Sequence, residues 1–142
     1  KSWAFLIVRH YRRKGTNTRP LSIYSMVVWT RLAGISGAAA VAFGAVGAHA
    51  LPKDRSPEMK AVFMTGAQYH LIHSVALAAC ALNMPKGKKK NLVCGLFVTG
   101  IVLFSGSCYA CAAANQRKPY SYPAPVGGFA LIGGWLLLGL MP

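Results

Sequence analysis

The chain has 142 residues, of which 54% are hydrophobic and 13% are charged, and its formal net charge is +14. A soluble domain carries about 25% charged residues, so this composition excludes an ordinary soluble protein and favours an integral membrane protein. The 16 Lys and Arg residues lie between apolar runs, a distribution that fits membrane topology better than a nucleic-acid partner.

The first 30 residues form a predicted basic N-terminal extension. Residues 1–20 include six Lys and Arg and no acidic residue. This pattern is typical of a mitochondrial targeting segment, and equally of a basic tail that obeys the positive-inside rule. The apolar stretch Leu21 to Thr30 predicts either an interfacial helix or a lead-in to the first membrane span. Arg31 marks the membrane boundary, because a charge at the bilayer centre is costly.

The first predicted span, Leu32 to Leu51, is unusually rich in Gly and Ala. In lipid, small residues three or four positions apart allow a second helix to approach closely. We therefore predict a helix-packing face in this span. Its residues are Gly37, Ala40, Gly44, Gly47 and Ala48.

Three further helices follow in the chain. Ser56 is a plausible N-cap with Pro57 at the first helical position, and the second helix is predicted from Pro57 to Asn83, with a polar N-terminal half. The third is predicted from Leu92 to Ala114 and the fourth from Val126 to Leu140. The predicted fold class is all-α: an integral membrane four-helix bundle over residues 31–142 that follows the basic extension.

The distribution of basic residues predicts the orientation in the membrane. The N-terminal segment and the loop between the second and third helices together hold eleven Lys and Arg, and the opposite side holds five. Because the more basic side stays inside, both termini are expected to face the cytoplasm or the mitochondrial matrix.

Four blocks of this sequence resemble, in order, the transmembrane protein 256-like family, which are small membrane proteins of unknown function. The resemblance covers roughly residues 31–141, and it implies a four-helix integral membrane protein with no established catalytic activity. Family members occur in bacterial inner membranes and in mitochondria, and the basic extension departs from the compact bacterial form, which favours a mitochondrial member. The four blocks are Arg31–Leu51, Gly66–Leu77 (GAQYHLIHSVAL), Leu103–Tyr109 (LFSGSCY) and Ala124–Trp135 (APVGGFALIGGW).

The main cluster of chemically versatile side chains lies on the second helix. His70 and His73 are three residues apart and share a helix face with Tyr69, and Gln68 is adjacent. His49 ends the first span on the same membrane side as the start of the second helix. One interpretation is that these five side chains form interhelical polar contacts. The other is that His49, His70 and His73 bind haem or a metal, or take part in proton or quinone chemistry.

Other motifs give weaker indications. Cys108 and Cys111 match C-x-x-C, but they lie in an apolar helix, where Cys is a good small apolar residue. A structural zinc site would need four ligands, and a second C-x-x-C is missing. No Gly-rich phosphate loop is present, and two acidic residues make no convincing catalytic triad. We therefore predict no catalytic residues, no bound metal and no cofactor.

Together these patterns favour a non-catalytic accessory or structural subunit of a mitochondrial inner-membrane complex, such as one of the respiratory chain. The expected partners are other subunits and membrane lipids, anionic headgroups among them, with no nucleic acid. A bacterial inner membrane is the alternative location. Two alternative functions stay open: a His-based redox protein, and a small channel or transporter, although no predicted span carries a charge.

Overall fold

The computed structural model describes residues 20–140, with side chains from residue 26 onward, and these residues form four long helices and no strand. Helix α1 (Pro20–Ala45) continues into a π-helical turn (Val46–Ala50), and helix α2 covers Pro57–Asn83. Helix α3 has three parts: Lys88–Gly100, a π-helical turn (Ile101–Ser105) and Gly106–Ala114. Helix α4 covers Ala124–Gly139. The all-α prediction is confirmed, whereas the predicted targeting segment in residues 1–19 lies outside the described residues.

Local sequence signals set the helix ends. The Ser56 hydroxyl accepts a hydrogen bond from the backbone N–H of Met59 at 3.2 Å, and Pro57 occupies the first turn, as expected for an N-cap. Helix α2 ends before Pro85, since the residue before a proline avoids the helical conformation. Helix α3 ends at Ala114 and is capped by Asn115, which has a φ of 53°, a left-handed conformation that Asn tolerates.

Two of the four helices are long and apolar enough to cross a membrane. They are the segments Met26–Ala50, with 25 residues, and Lys88–Ala114, with 27 residues. Helix α4 is apolar but has 16 residues, which corresponds to about 24 Å at 1.5 Å per residue. Helix α2 has 27 residues, but its polar N-terminal half makes it less hydrophobic than these two segments.

Each helix packs mainly against the next one along the chain, so that α2 and α3 lie in the centre. The core between them consists of side chains that are almost fully buried, and α1 covers one side of α2 while α4 covers one side of α3. The small residues of the first span therefore do not lie at the centre of the bundle. The central core residues are Leu77, Cys80, Val93, Cys94 and Phe97.

The Gly and Ala residues predicted to form a packing face do not all lie at a contact between helices. Ala40 is 2% exposed, and a Cβ atom at Gly47 would lie 2.5 Å from the Met64 sulfur of α2. Gly44 has no neighbour within 4 Å of such an atom, and Ala48 is exposed. Seven residues complete nearly two helical turns, whereas eight overshoot by about 80°. Gly47 therefore shares the face of Ala40, and Ala48 does not.

Candidate functional site

His70 lies in the middle of α2, and both of its ring nitrogens contact neighbouring helices. Its Nε2 atom is 3.1 Å from the Ser36 hydroxyl of α1, and its Nδ1 atom is 3.1 Å from the Tyr109 hydroxyl of α3. The Ser36 hydroxyl is also 2.6 Å from the Ser74 hydroxyl, which donates to the His70 carbonyl at 2.8 Å. One buried imidazole thus connects three helices.

The direction of each bond in this hydrogen-bond chain follows from counting protons. The single hydroxyl proton of Ser74 goes to the His70 carbonyl, so Ser36 must donate to Ser74. The Ser36 oxygen then accepts from the His70 Nε2–H, and His70 Nδ1 accepts from the Tyr109 hydroxyl. The arrangement fixes His70 as the neutral Nε2–H tautomer, since a neutral imidazole has one donor and one acceptor nitrogen.

His73 forms a second connection, between α2 and α4. Its Nδ1 atom is 2.7 Å from the Tyr69 carbonyl oxygen, and its Nε2 atom is 3.1 Å from the indole nitrogen of Trp135. A carbonyl can only accept and an indole N–H can only donate. His73 is therefore the neutral Nδ1–H tautomer, which is the opposite of His70.

Aromatic rings surround both imidazoles. The Tyr109 ring stacks on Phe43 with centroids 4.4 Å apart and contacts Phe63 at 4.9 Å. On the other side, Phe97 lies 5.9 Å from the His73 ring and 5.5 Å from Trp135. Both imidazoles are buried, with His70 7% and His73 5% exposed, and burial strengthens each hydrogen bond and makes an unpaired group more costly.

The other predicted site residues do not join these contacts. His49 is exposed on the π-helical turn that follows α1, and Gln68 is exposed on α2; neither forms a side-chain hydrogen bond within the described part of the chain. Tyr69 contributes its carbonyl, while its ring packs on Phe104 at 4.6 Å. The three imidazoles do not converge. Among residues 20–140, no group of three His, Cys, Asp or Glu side chains is arranged to hold a metal.

Two apolar grooves flank the imidazoles. The first, of about 330 Å³, lies between α1 and α3, and the second, of about 470 Å³, lies between α2 and α4. The hydrogen-bonded side chains lie along these grooves, which are otherwise almost entirely apolar. The first is lined by Ile35, Ser36, His70, Val102 and Tyr109, and the second by Tyr69, His73, Phe104, Leu131 and Trp135, among others.

Sequence reasoning missed four partners of the histidines: Ser36, Ser74, Tyr109 and Trp135. Ser36 had a usable signal, because it is the only polar side chain between Leu32 and Ala48. Tyr109 lies between Cys108 and Cys111, and a C-x-x-C motif indicates chemistry of the two thiols and not of the tyrosine. All four cysteines of the chain are buried free thiols, and the Cys111 thiol contacts the Arg117 carbonyl at 3.4 Å.

Comparison with known proteins gives a consistent result. Residues 43–128 match the family model described as "Protein of unknown function (DUF423)". The chain is 34% identical to the UPF0382 inner membrane protein YgdD of Escherichia coli strain K12 over 108 residues, which are 75% of this chain and 82% of that protein. It is 35% identical to the UPF0382 membrane protein YwdK of Bacillus subtilis strain 168 over 116 residues, covering 80% and 94% of the two chains.

A eukaryotic relative is similarly close. A UPF0382 membrane protein of Schizosaccharomyces pombe is 30% identical over 115 residues, which are 78% of this chain and 96% of that protein. No solved structure matches the chain. The relatives agree with the predicted class, a small membrane protein of unknown function, and their names do not include the transmembrane protein 256-like family.

Proposed function

We propose that this chain, which belongs to the DUF423 family, is a non-catalytic four-helix membrane protein that works through its contacts with other proteins. In this proposal it is an accessory or structural subunit of a larger inner-membrane complex. The observation that carries the proposal is that all four ring nitrogens of His70 and His73 are engaged in hydrogen bonds within the chain. These two imidazoles hold helices together and have no nitrogen lone pair left for a metal.

The outward faces of the helices also favour contact with other apolar surfaces. Phe129 on α4 is 74% exposed, Ile35 on α1 is 70% exposed and Val75 on α2 is 64% exposed. In a bilayer such faces meet lipid tails or the helices of a partner, and packing of small residues then drives association. The short α4 supports a partner on that side, because a span shorter than the hydrocarbon core is accommodated in part by oligomerisation.

The location within the cell follows from charge and from the relatives. Eleven of the 16 basic residues lie on the side of the N-terminus and the α2–α3 loop, so we propose that both termini face the cytoplasm or the matrix. Bacterial relatives carry inner-membrane names, and the role is therefore one that is not specific to mitochondria. Residues 1–19 are basic and contain no acidic residue. They are the reason for proposing that this member lies in the mitochondrial inner membrane, as a subunit of a complex such as one of the respiratory chain.

Site-specific photocrosslinking in native membranes tests the proposal. A crosslinking amino acid is placed at position 129, 35 or 75, on the outer faces of three different helices. A subunit should give a discrete adduct with one protein from at least one position, and a buried control at position 97 should give none. The absence of discrete adducts from all three positions, together with a monomeric mass after mild extraction, would contradict the proposal.

An absorption spectrum separates this proposal from the redox alternative. A haem ligated by His70 or His73 requires that imidazole to give up an existing hydrogen bond, for instance with Tyr109 or Trp135, whereas the third candidate ligand, His49, is exposed. We expect the protein extracted from its native membrane to show no Soret band and no stoichiometric metal. A haem or metal signal that disappears in a His70→Gln variant would instead favour the redox function.

A further inference from the structure

One side of α2 stays exposed along the whole helix in the described part of the chain. Its residues recur at alternating spacings of four and three positions, so they lie one above another on a single face. The large side chains among them are strongly exposed, with Ile72 at 55%, Val75 at 64% and Leu82 at 62%. We call this surface the α2 stripe. It consists of Ala61, Thr65, Gln68, Ile72, Val75, Ala79 and Leu82.

The α2 stripe has the form of a helix–helix contact. Residues spaced alternately by three and four positions form the contact face of left-handed helix pairs, in which side chains of the two helices interlock. Most helix pairs in membranes are of this left-handed type. Ala61 and Ala79 supply small residues near the two ends, where backbones approach closely. The form of the stripe favours a helix as its partner, and the chemistry of Gln68 specifies which helix.

Gln68 places an amide group of the stripe inside the hydrocarbon core. The ring of the adjacent residue, Tyr69, packs on Phe104 with centroids 4.6 Å apart. Phe104 is ten residues from the nearer end of the apolar segment Lys88–Ala114, which corresponds to about 15 Å along the helix. At this depth neither water nor a lipid headgroup is available to pair with the amide.

The Gln68 amide also has no partner within its own chain. Its side chain is exposed and forms no hydrogen bond among the described residues. The one hydroxyl group of the stripe is satisfied, because Thr65 donates to the Ala61 carbonyl at 2.9 Å. An unpaired polar group is costly in hydrocarbon, and such side chains pair with polar groups of a neighbouring helix. A partner that covers the stripe must therefore bring a donor and an acceptor to the level of Gln68.

A second copy of the chain meets this requirement by symmetry. Two copies in one membrane have the same orientation, so their α2 helices run parallel and equal residues lie at equal depth. Gln68 then faces the partner's Gln68, and each amide donates to and accepts from the other. Lipid tails have neither a donor nor an acceptor, and the ester carbonyls of phospholipids lie at the membrane surface.

We infer that the chain forms a parallel homodimer through the α2 stripe, with reciprocal hydrogen bonds between the two Gln68 amides. The contact is isologous, since the same patch of both copies meets across a twofold axis. One amide in an otherwise apolar contact fixes the register, as a single asparagine does in coiled coils. The groove of about 470 Å³ between α2 and α4 adjoins the stripe at Ile72 and leaves space for side chains of the second copy.

Sedimentation equilibrium of the purified full chain in neutral detergent micelles measures the dissociation constant of the dimer. Gln68→Leu keeps the apolar contact and removes the reciprocal hydrogen bonds, so it should raise this constant about tenfold. Gln116→Leu makes the same change at an exposed loop position and should alter it by less than about twofold. Gln68→Asn keeps an amide and should stay within about threefold of the unchanged chain. Circular dichroism should show equal helicity in all variants, because Gln68 supports no contact within the chain.

Disulfide crosslinking in the membranes of cells that express the chain identifies the face that is used. All four native cysteines are buried, so a cysteine introduced on the surface is the exposed thiol of that variant. Under mild oxidation Val75→Cys should give crosslinked dimers, because equal residues of the stripe face one another. Ile35→Cys on α1 and Phe129→Cys on α4, both at strongly exposed positions, should give few. Adding Gln68→Leu to Val75→Cys should lower the yield.

Four results would each overturn the inference. They are a purified chain that stays monomeric, equal dissociation constants for Gln68→Leu and Gln116→Leu, crosslinks from α1 or α4 with none from Val75→Cys, and crosslinks from Val75→Cys to a different protein alone. The last result would assign the stripe to that protein. The inference depends on the chain lying in a membrane and on no other protein, so its failure leaves the proposed subunit function standing.

Discussion

The hydrogen bond between Trp135 and His73 allows a direct measurement of how strongly the histidines hold the bundle. Trp135→Phe removes the indole donor and keeps an aromatic ring next to Phe97. The Nε2 atom of His73, a residue that is 5% exposed, is then left without a donor. His73 cannot adjust by changing tautomer, because its Nδ1–H remains bound to the Tyr69 carbonyl.

The expected decrease in the free energy of unfolding follows from two ranges of hydrogen-bond energies. Interhelical hydrogen bonds in membrane proteins average about 0.6 kcal/mol and reach about 1.7 kcal/mol. Leaving a buried acceptor unpaired costs about 1 to 3 kcal/mol. Because His73 is buried and held in one tautomer, we expect the free energy of unfolding to fall by about 1.5 kcal/mol. Trp135 itself is 46% exposed, so the smaller ring of phenylalanine adds little to this loss of stability in lipid.

Trp29→Phe provides the matched control for this measurement. It removes a hydrogen bond of similar length to Asn91, but that bond is exposed, and water or a headgroup can replace the lost donor. We expect a cost below about 0.5 kcal/mol. Both variants are unfolded with SDS in mixed micelles and followed by circular dichroism. A cost for Trp135→Phe no larger than that for Trp29→Phe would refute the argument that burial of the His73 acceptor sets the energy.

Two further predictions concern protonation and packing. Nitrogen-15 NMR of histidine-labelled protein at neutral pH should show His70 protonated at Nε2 and His73 protonated at Nδ1, and identical tautomers would contradict the hydrogen-bond assignment. Gly127→Ala should destabilise the protein by at least about 2 kcal/mol, because the new Cβ atom would overlap the backbone nitrogen of Phe104 and a backbone cannot move aside. Gly34→Ala, which has open space, should be neutral or stabilising by up to about 1 kcal/mol, and a similar loss in both variants would disprove the close-approach explanation.

The sequence predicted the helix boundaries well where strong local signals exist. Helix α2 covers Pro57–Asn83 as predicted, because a Ser-Pro start and a proline two residues beyond its end set both ends of the helix. The stretch Leu21 to Thr30 and the first span form one helix from Pro20, as in the lead-in alternative, because no helix breaker lies between them. Helix α3 begins four residues earlier than predicted, at Lys88. Lysine is a good helix former, and charge alone does not end a helix.

The contacts of the site were less predictable, because they depend on how helices are arranged in space. The spacing of His70 and His73 predicted a shared face of α2, but the two rings turn towards different neighbours, α1 and α3 for one and α4 for the other. Periodicity describes one helix and not which helix lies opposite. The π-helical turn at Ile101–Ser105 also had no clear signal, although π-helical turns change the facing of the residues that follow.

The hydrogen-bond chain through His70 also determines whether protons can move along it. A proton relay needs groups that both donate and accept at every position, and it needs an exchange partner at each end. This chain runs from the Tyr109 hydroxyl through His70, Ser36 and Ser74, and it ends at the main-chain carbonyl of His70 itself. A carbonyl accepts a hydrogen bond but has no proton to pass on. The described hydrogen bonds therefore close on the residue that they pass through: they connect three helices, and none of them leads onward from Ser74.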